Sequence, residues 1–494
     1  MAWSFGDGFD LYTAAADAIN GYWDAITGSS VNYTLVAGRF AGSRALQCAT
    51  LGMNLIKNSG QNDAVHHIVC AFYQTAALSG TSSVTYFSLG DGATAQCSVV
   101  FRSDGAILLT SGGPAGTTLD TYTGAVTASA TWYAFEIEVV INNTTGSWVV
   151  RKNGNTSNDH ALGSLDTQNS VNAYANRLTF GVNASVNQQV DDLFWRSDAS
   201  SVAWIGDIRC YTRMPASDAS VQFSRSPTTA IQTPYTIISN AGITAGQPRY
   251  SSFVAAWDGT IGTATVTLGA GYTGNMKCSI FASSGSAPTT VLGSATAITN
   301  PVTGINTFTF GTPVTVAKGT QYWFGFVSDT SSGTFSFGGT VTSGGTSTTS
   351  YASFPAASPA MTTSNAALCS ITFTISANCD VVSEAQQDGT ATYVYDSTVN
   401  DADFYAFGTI TPTPTPGAII AMTTRGYMQK SDAGSRTASM RIKSGSTTVA
   451  SPTLTLTNSG WQWAWRMDLT DPNTGSAWTA ANADNCQIGP VVIS

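Results

Sequence analysis

Two places in the chain bring acid side chains close enough together for chemistry. In "VDDLFW", Asp191 and Asp192 open an aromatic strand-like run, and in "FEIEVVI", Glu136 and Glu138 alternate along another. Paired carboxylates can ligate a metal, divide acid and base roles across a scissile bond, or simply accept backbone amides. Strand geometry separates the two cases. Residues two apart share a face, so Glu136 and Glu138 lie side by side, whereas adjacent residues face opposite sides. Asp191 and Asp192 cannot form one compact acid pair without backbone distortion.

Glycoside hydrolysis needs two carboxyl groups flanking the bond, one of them kept protonated by its surroundings. After Glu138 come Val139, Val140 and Ile141, so no third acid follows, and the only other glutamate is Glu384. Glu136 and Glu138 are therefore expected on the wet face of a sandwich strand. The histidines are His66, His67 and His160. In "AVHHIVCAFY" the first two should point to opposite faces, and no serine elbow or Cys–His pairing accompanies them. The expectation is a protein without a catalytic centre. For the aspartates, calcium is one reading: Asp10, Asp191 and Asp192, with help from Asp7, could join turn carbonyls in a shell of six to eight oxygens. The favoured reading is a fold closure in which an aspartate bonds backbone amides where the closing strand meets the first. No other cofactor is expected.

The elements that would carry these residues are strands. The chain has 494 residues, of which 10% are charged, against roughly 25% in an average soluble domain. Gly, Ser, Thr and Asn replace the charges, and Val, Tyr, Phe and Trp come in short runs between turn signals such as "SDG", "TTG" and "KNG". That is the chemistry of strands joined by tight turns, and the fold class is all-β. "LYTAAADAINGYW" supports a short helix at most, since Asn20 and Gly21 interrupt it. The net charge of −9 on only 20 Lys plus Arg leaves no basic footprint for nucleic acid or an anionic membrane. "AWSFGDGFDLY" lacks the features of a signal peptide and "GAIIAM" is too short to span a bilayer, so assembly in the cytoplasm without membrane insertion is expected. Cys48, Cys70, Cys97, Cys210, Cys278, Cys369, Cys379 and Cys486 are too scattered for a zinc site. They read as small buried hydrophobes.

Texture divides the chain into three β-sandwiches: residues 1–224, 225–378 and 379–494. The middle one is richest in Gly, Ser and Thr, and "SGGTSTTSYASFPAASPA" within it reads as a long surface loop. "TPTPTPG", from Thr411 to Gly417, reads as an edge or loop whose prolines discourage strand pairing. In "GWQWAWRMDL", Trp461, Trp463 and Trp465 share a face that reads as core or subunit interface.

The run of "GDGFDLY", "YWD", "GRFAGSRAL", "WYAFEIEVVI", "VRKNG", "VDDLFW" and "WIGDIRCYTRMPASD" resembles the LamG-like, concanavalin A-like domain of tailed-phage virion proteins. "DVVSEAQQDGTATYVYD" and "KSDAGSRTASMRI" resemble the C-terminal module of the same proteins, with the middle sandwich inserted between. The resemblance implies antiparallel jelly-roll sandwiches on the outside of a virion. It implies no reaction, because function belongs to sites and not folds. Hydrolases on this fold carry a third acid on the equivalent strand, and here it is absent.

From this follows an expected role as a tail fibre or fibre-like appendage, a homotrimer with other virion proteins and a host surface glycan as partners. A capsid decoration or head-fibre protein is the alternative, and a polysaccharide-degrading enzyme the third reading. Trp257 and Asp258 in "AAWDGT" and Tyr272 in "GAGYTGN" are the candidate carbohydrate contacts, although each also suits a structural turn.

Overall fold

The computed structural model describes residues 3–12, 22–27, 33–48, 54–182, 188–200, 203–236, 239–338, 344–347, 350–364, 366–367, 369–383, 390–410, 418–457 and 460–494. Most of the helix candidate, Glu384 and the run from Thr411 to Gly417 lie outside them. The chain is all-β and antiparallel. It forms two compact units, one drawing on residues 1–222 and 396–494, the other on 223–383 and 390–395.

The first unit begins with β1 (Trp3–Asp7), β2 (Ala25–Thr27), β3 (Tyr33–Ala37), β4 (Arg44–Cys48) and β5 (Asn54–Asp63). Next come β6 (Val65–Gln74), β7 (Ser83–Asp91), β8 (Thr94–Arg102), β9 (Ile107–Ser111) and β10 (Thr118–Tyr122). β11 (Trp132–Val140), β12 (Gly146–Lys152), β13 (His160–Leu165), β14 (Ala175–Val182) and β15 (Gln188–Asp198) complete the set. One sheet runs β13-β12-β11-β6-β15-β4-β3 with β1 added to β15, and the other runs β10-β9-β8-β7-β14-β5-β2. Their inner faces make one aromatic core. Phe72 stacks on Phe101 with ring centres 4.3 Å apart, Phe101 meets Phe135 at 5.6 Å, and Phe87 stacks on Phe180 at 5.0 Å. β6 is buried along nearly its whole length, as a strand must be when both faces are covered.

Residues 396–494, with 215–220, add a sheet ordered 215–220, 404–407, 487–492, 436–444 and 447–450, and a two-stranded antiparallel ribbon of Met422–Met428 with Gln462–Asp468. The ribbon brings its tryptophans to the first core. Trp463 is 6% exposed and belongs to that core, and Trp465 meets Phe5 at 6.0 Å and Tyr22 at 5.3 Å edge-on. Trp461 stacks on Tyr427 at 5.5 Å. The tryptophan face of this strand is a packing face.

The second unit is a sandwich of two seven-stranded sheets over a core containing Phe253, Phe308, Phe324, Phe326 and Phe373. One expectation fails here. Gly344–Ser347, read as part of a surface loop, is a buried strand paired with Arg249–Val254 and Met361–Ser364. Its small side chains are what let it in: a Cβ on Gly345 would lie 2.3 Å from Met361 Cε. Close approach of this kind is a regular use of glycine in strands. Cys70, Cys97, Cys278, Cys369, Cys379 and Cys486 are free and buried, and Cys210 is free and partly buried.

Replacing Phe101, which is buried against three other rings, by Ala should cost the first unit about 3–5 kcal/mol. Urea unfolding followed by near-UV circular dichroism would show its midpoint fall.

Candidate functional site

The residues that could do chemistry converge on one irregular segment. After β15 the described chain resumes at residue 203 and crosses the outer face of the β6–β11–β15 sheet without joining a ladder until Pro215. A half-buried segment without a ladder needs other acceptors for the amides it turns toward the sheet. It finds carboxylates. Glu136 Oε1 accepts from Ile205 N at 2.9 Å and Glu136 Oε2 from Gly206 N at 2.7 Å. Asp192 Oδ1 accepts from Cys210 N at 2.7 Å, and Asp10 Oδ2 from the Thr212 hydroxyl at 3.0 Å. Asp207 of the strap itself accepts both Arg39 guanidinium nitrogens at 2.5 Å.

Glu136 and Glu138 do share a face, but the wet-face expectation fails for Glu136, while Glu138 stays partly exposed. Glu136 is only 3% exposed, because the strap lies over it. The glutamates grip one histidine: His67 Nδ1 is 3.2 Å from Glu136 Oε1 and Nε2 is 2.7 Å from Glu138 Oε2. Trp204 of the strap meets the His67 ring edge-on at 4.7 Å, and the Arg151 guanidinium lies 3.9 Å from the Trp204 ring centre. A shallow surface dimple with no enclosed cavity lies beside them, lined by Glu136, Arg151, Gly154, Gly206 and Asp207. His66 points to the other face, accepting from Trp195 Nε1 at 3.2 Å inside the core. Burial holds it well below the ordinary histidine range, at about 4. His160 lies elsewhere, 2.6 Å from Asp120, which also accepts from Trp148.

Asp191 and Asp192 overturn the alternation argument. The register slips between Asp191, opposite Ala71, and Phe194, opposite Val69. This is a β-bulge with one extra residue, and Asp192 takes a φ of +52°; bulges re-aim side chains in this way. Both aspartates are buried. Asp191 accepts from Arg39 N at 2.8 Å, from Ser43 Oγ at 3.3 Å and from Asp192 N at 2.7 Å. The loop that reaches it needs Gly38, where a Cβ would sit 2.5 Å from Asp191 Oδ2. Asp192 Oδ2 has no hydrogen-bond partner and lies 4.0 Å from Arg39.

The calcium reading does not fit these residues. Asp10 is engaged by Arg44 N at 2.7 Å and by Thr212, and both Asp191 oxygens face donors. Among the described residues no three His, Cys, Asp or Glu side chains are grouped to hold an ion. Asp7 is engaged as well, accepting from Phe9 N, the Tyr12 hydroxyl and Trp23 Nε1, with Arg425 at 3.4 Å. Arg425 went unnoticed in the sequence. It lies 3.7 Å above the Tyr22 ring, and the only local signal was a lone arginine in a strand otherwise short of charge.

The carbohydrate candidates lie in the second unit. Trp257 is half-buried against Phe373 at 5.5 Å. Asp258 accepts from Lys318 N and donates its own amide to Asp380, both at 2.7 Å. Tyr272 is 8% exposed and packed in the core, so its ring offers no platform to a sugar.

The sheet order and shared core define the class: an antiparallel β-sandwich protein. No protein-family model matches the chain, and no curated protein matches it. Solved structures align with part of it. The lectin-like defence protein arcelin-5 from Phaseolus vulgaris aligns at 10% identity over 40% of this chain and 99% of its own, with a TM-score of 0.27. Domain 4 of the GH43 extracellular arabinanase AbnA from Geobacillus stearothermophilus, in complex with arabinotriose, aligns at 16% identity over 40% and 92%, with a TM-score of 0.27. The catalytic domain of a glycoside hydrolase family 131 protein from Coprinopsis cinerea aligns at 13% identity over 41% and 97%, with a TM-score of 0.28. The assignment of the fold rests on the strand order and core described above.

Electrostatics gives the aspartate pair a pH dependence. Burial raises Asp191 to about 6 against the hydrogen bonds from Arg39 and Asp192, and Asp10 adds to the rise. Burial and the Asp191 charge raise Asp192 well above the carboxylate range. A carboxyl with a raised folded-state pKa binds its proton more tightly in the folded chain. The pair therefore favours folding below the ordinary range near 4 and loses that contribution as pH rises through about 6. Asp192→Asn keeps the acceptor for Cys210 N, removes a crowded charge and suits the positive φ. Its urea midpoint should exceed that of the parent at about pH 8 and match it at about pH 4.

A second expectation concerns Asp7. Asp7→Asn places an amide against the donors of Tyr12 or Trp23 and removes the partner charge of Arg425. Breaking a buried ion pair in this way costs about 3–5 kcal/mol, and chemical denaturation would show it.

Proposed function

We propose that this chain is a non-catalytic structural and binding protein on the outside of a virion: a tail fibre or fibre-like appendage whose lectin-like sandwiches contact the host envelope. One observation carries the non-catalytic part. The two glutamates that could have formed a hydrolytic pair are tied to His67, and Glu136 also holds the Ile205 and Gly206 amides. A carboxylate with both oxygens accepting amides under a covering segment has no line of attack on a sugar. The order of motifs from "GDGFDLY" to "WIGDIRCYTRMPASD" supports the virion part.

The host partner in this reading is a surface glycan, met by the Thr-, Ser- and Gly-rich strands and turns of the second unit. The assembly is a homotrimer. Fibres are few per particle and decoration proteins many, so copy number separates the two placements.

Immunogold labelling of particles should mark the tail at low copy, and sedimentation of the purified chain should give three times its monomer mass. Incubation with host envelope polysaccharide should give retention on the polysaccharide and no new reducing ends. Reducing ends that vanish in a Glu136→Gln, Glu138→Gln double variant would make the chain an enzyme. Labelling of the shell at high copy would make it a decoration protein.

A further inference from the structure

His67 makes two contacts that one neutral ring cannot satisfy. Its Nδ1 faces Glu136 Oε1 at 3.2 Å and its Nε2 faces Glu138 Oε2 at 2.7 Å. A neutral imidazole has a single N–H and a carboxylate only accepts. With one proton gone, a ring nitrogen would direct a lone pair at a carboxylate oxygen. Both contacts are hydrogen bonds only when the ring carries both protons. His66 shows the contrast one residue earlier: one ring nitrogen accepts from Trp195 and the other faces the Asp63 carbonyl at 2.9 Å, which a neutral ring satisfies.

Glu136 is also the anchor for the Ile205 and Gly206 amides, so the histidine and the strap are tied through one carboxylate. We propose that His67 is a proton latch: doubly protonated, it holds Glu136 and Glu138 in place and keeps segment 203–207 clasped to the sheet, and on losing a proton it lets that segment lift.

The charges around the ring act in both directions. Glu136 and Glu138 come from β11 and touch it. Arg196 of β15 stands directly across the strand pair from His67, and Arg151 of β12 stands across from Glu136; both oppose the imidazolium. Asp207 in the strap favours it but is committed to Arg39. Trp204, at 4.7 Å, offers the aromatic surface that attracts a cation. Burial opposes the charge most strongly, yet the hydrogen bonds and charges of the two glutamates outweigh it, and the ring titrates above the ordinary histidine value. A raised folded-state value means that the clasp is complete below about 6.5 and is lost as pH rises through the folded value.

The test uses the full chain. Selective ¹⁵N labelling of histidine gives three sets of ring signals, and His67→Gln assigns one set by its loss. That ring should carry protons on both nitrogens at about pH 6.5. Hydrogen exchange at Ile205 and Gly206, corrected for intrinsic rates, should lose at least roughly tenfold in protection between about pH 6 and about pH 9. The Cys210 amide, held by Asp192, reports separately on the aspartate pair. Glu138→Gln removes one negative charge beside the ring while sparing the Glu136 anchor, and it should move the loss to lower pH. If His67→Gln does not fold, Glu138→Gln alone carries the test and the latched ring is assigned as the one it shifts. A His67 ring with a single proton at about pH 6.5, or protection at 205 and 206 that stays constant to about pH 9, overturns the latch.

Discussion

A buried amide must have an acceptor, and the segment from residue 203 to Pro215 crosses a sheet face with no strand beside it. The chain answers with side chains: Glu136 for Ile205 and Gly206, Asp192 for Cys210 and Asp10 for the Thr212 hydroxyl. Most of the carboxylates that looked available for chemistry are accounted for by this need. Taking a carboxylate out of water is expensive unless several donors meet it; Glu136 and Asp10 each have such donors, whereas Asp192 meets only the Cys210 amide and keeps one oxygen without a partner. The strap and the acids stabilise one another.

The same economy of charge governs the end of β1. Asp7 meets the Tyr12 hydroxyl, Trp23 Nε1, the Phe9 amide and Arg425, all within the first unit. Arg425 belongs to the two-stranded ribbon that also brings Trp463 and Trp465 onto the aromatic core. Apolar packing supplies the bulk of that contact, and the Asp7–Arg425 pair favours one placement of it, since a displaced ribbon would leave a charge buried without a partner. A polar contact at the edge of an apolar one specifies position more than it adds stability.

Acids and aromatics that would mark an active or sugar-binding centre in another protein are thus held inside the frame. Tyr272 fills a core, Trp257 leans on Phe373, and Asp258 closes a turn with Lys318 and Asp380. What is left for a partner is the polar surface of strands and turns.

The all-β fold was legible because strand formation is local: alternation, β-branched runs and glycine turns act over a few residues. The shared face of Glu136 and Glu138, and the opposite facing of His66 and His67, followed from the same period of two. What alternation could not supply was partners distant in the chain. His67 and Glu136 are 69 residues apart, and Arg39 and Asp191 are 152. The bulge at Asp192 appears only when β15 is paired with β6. The burial of Glu136 required knowing that the strap folds back over β11, and the strand at Gly344–Ser347 required knowing that Met361 would close upon it. Local sterics wrote the strands into the sequence. Which carboxylates would be buried, and against what, was decided only by tertiary pairing, because the desolvation of a charge depends on everything that surrounds it.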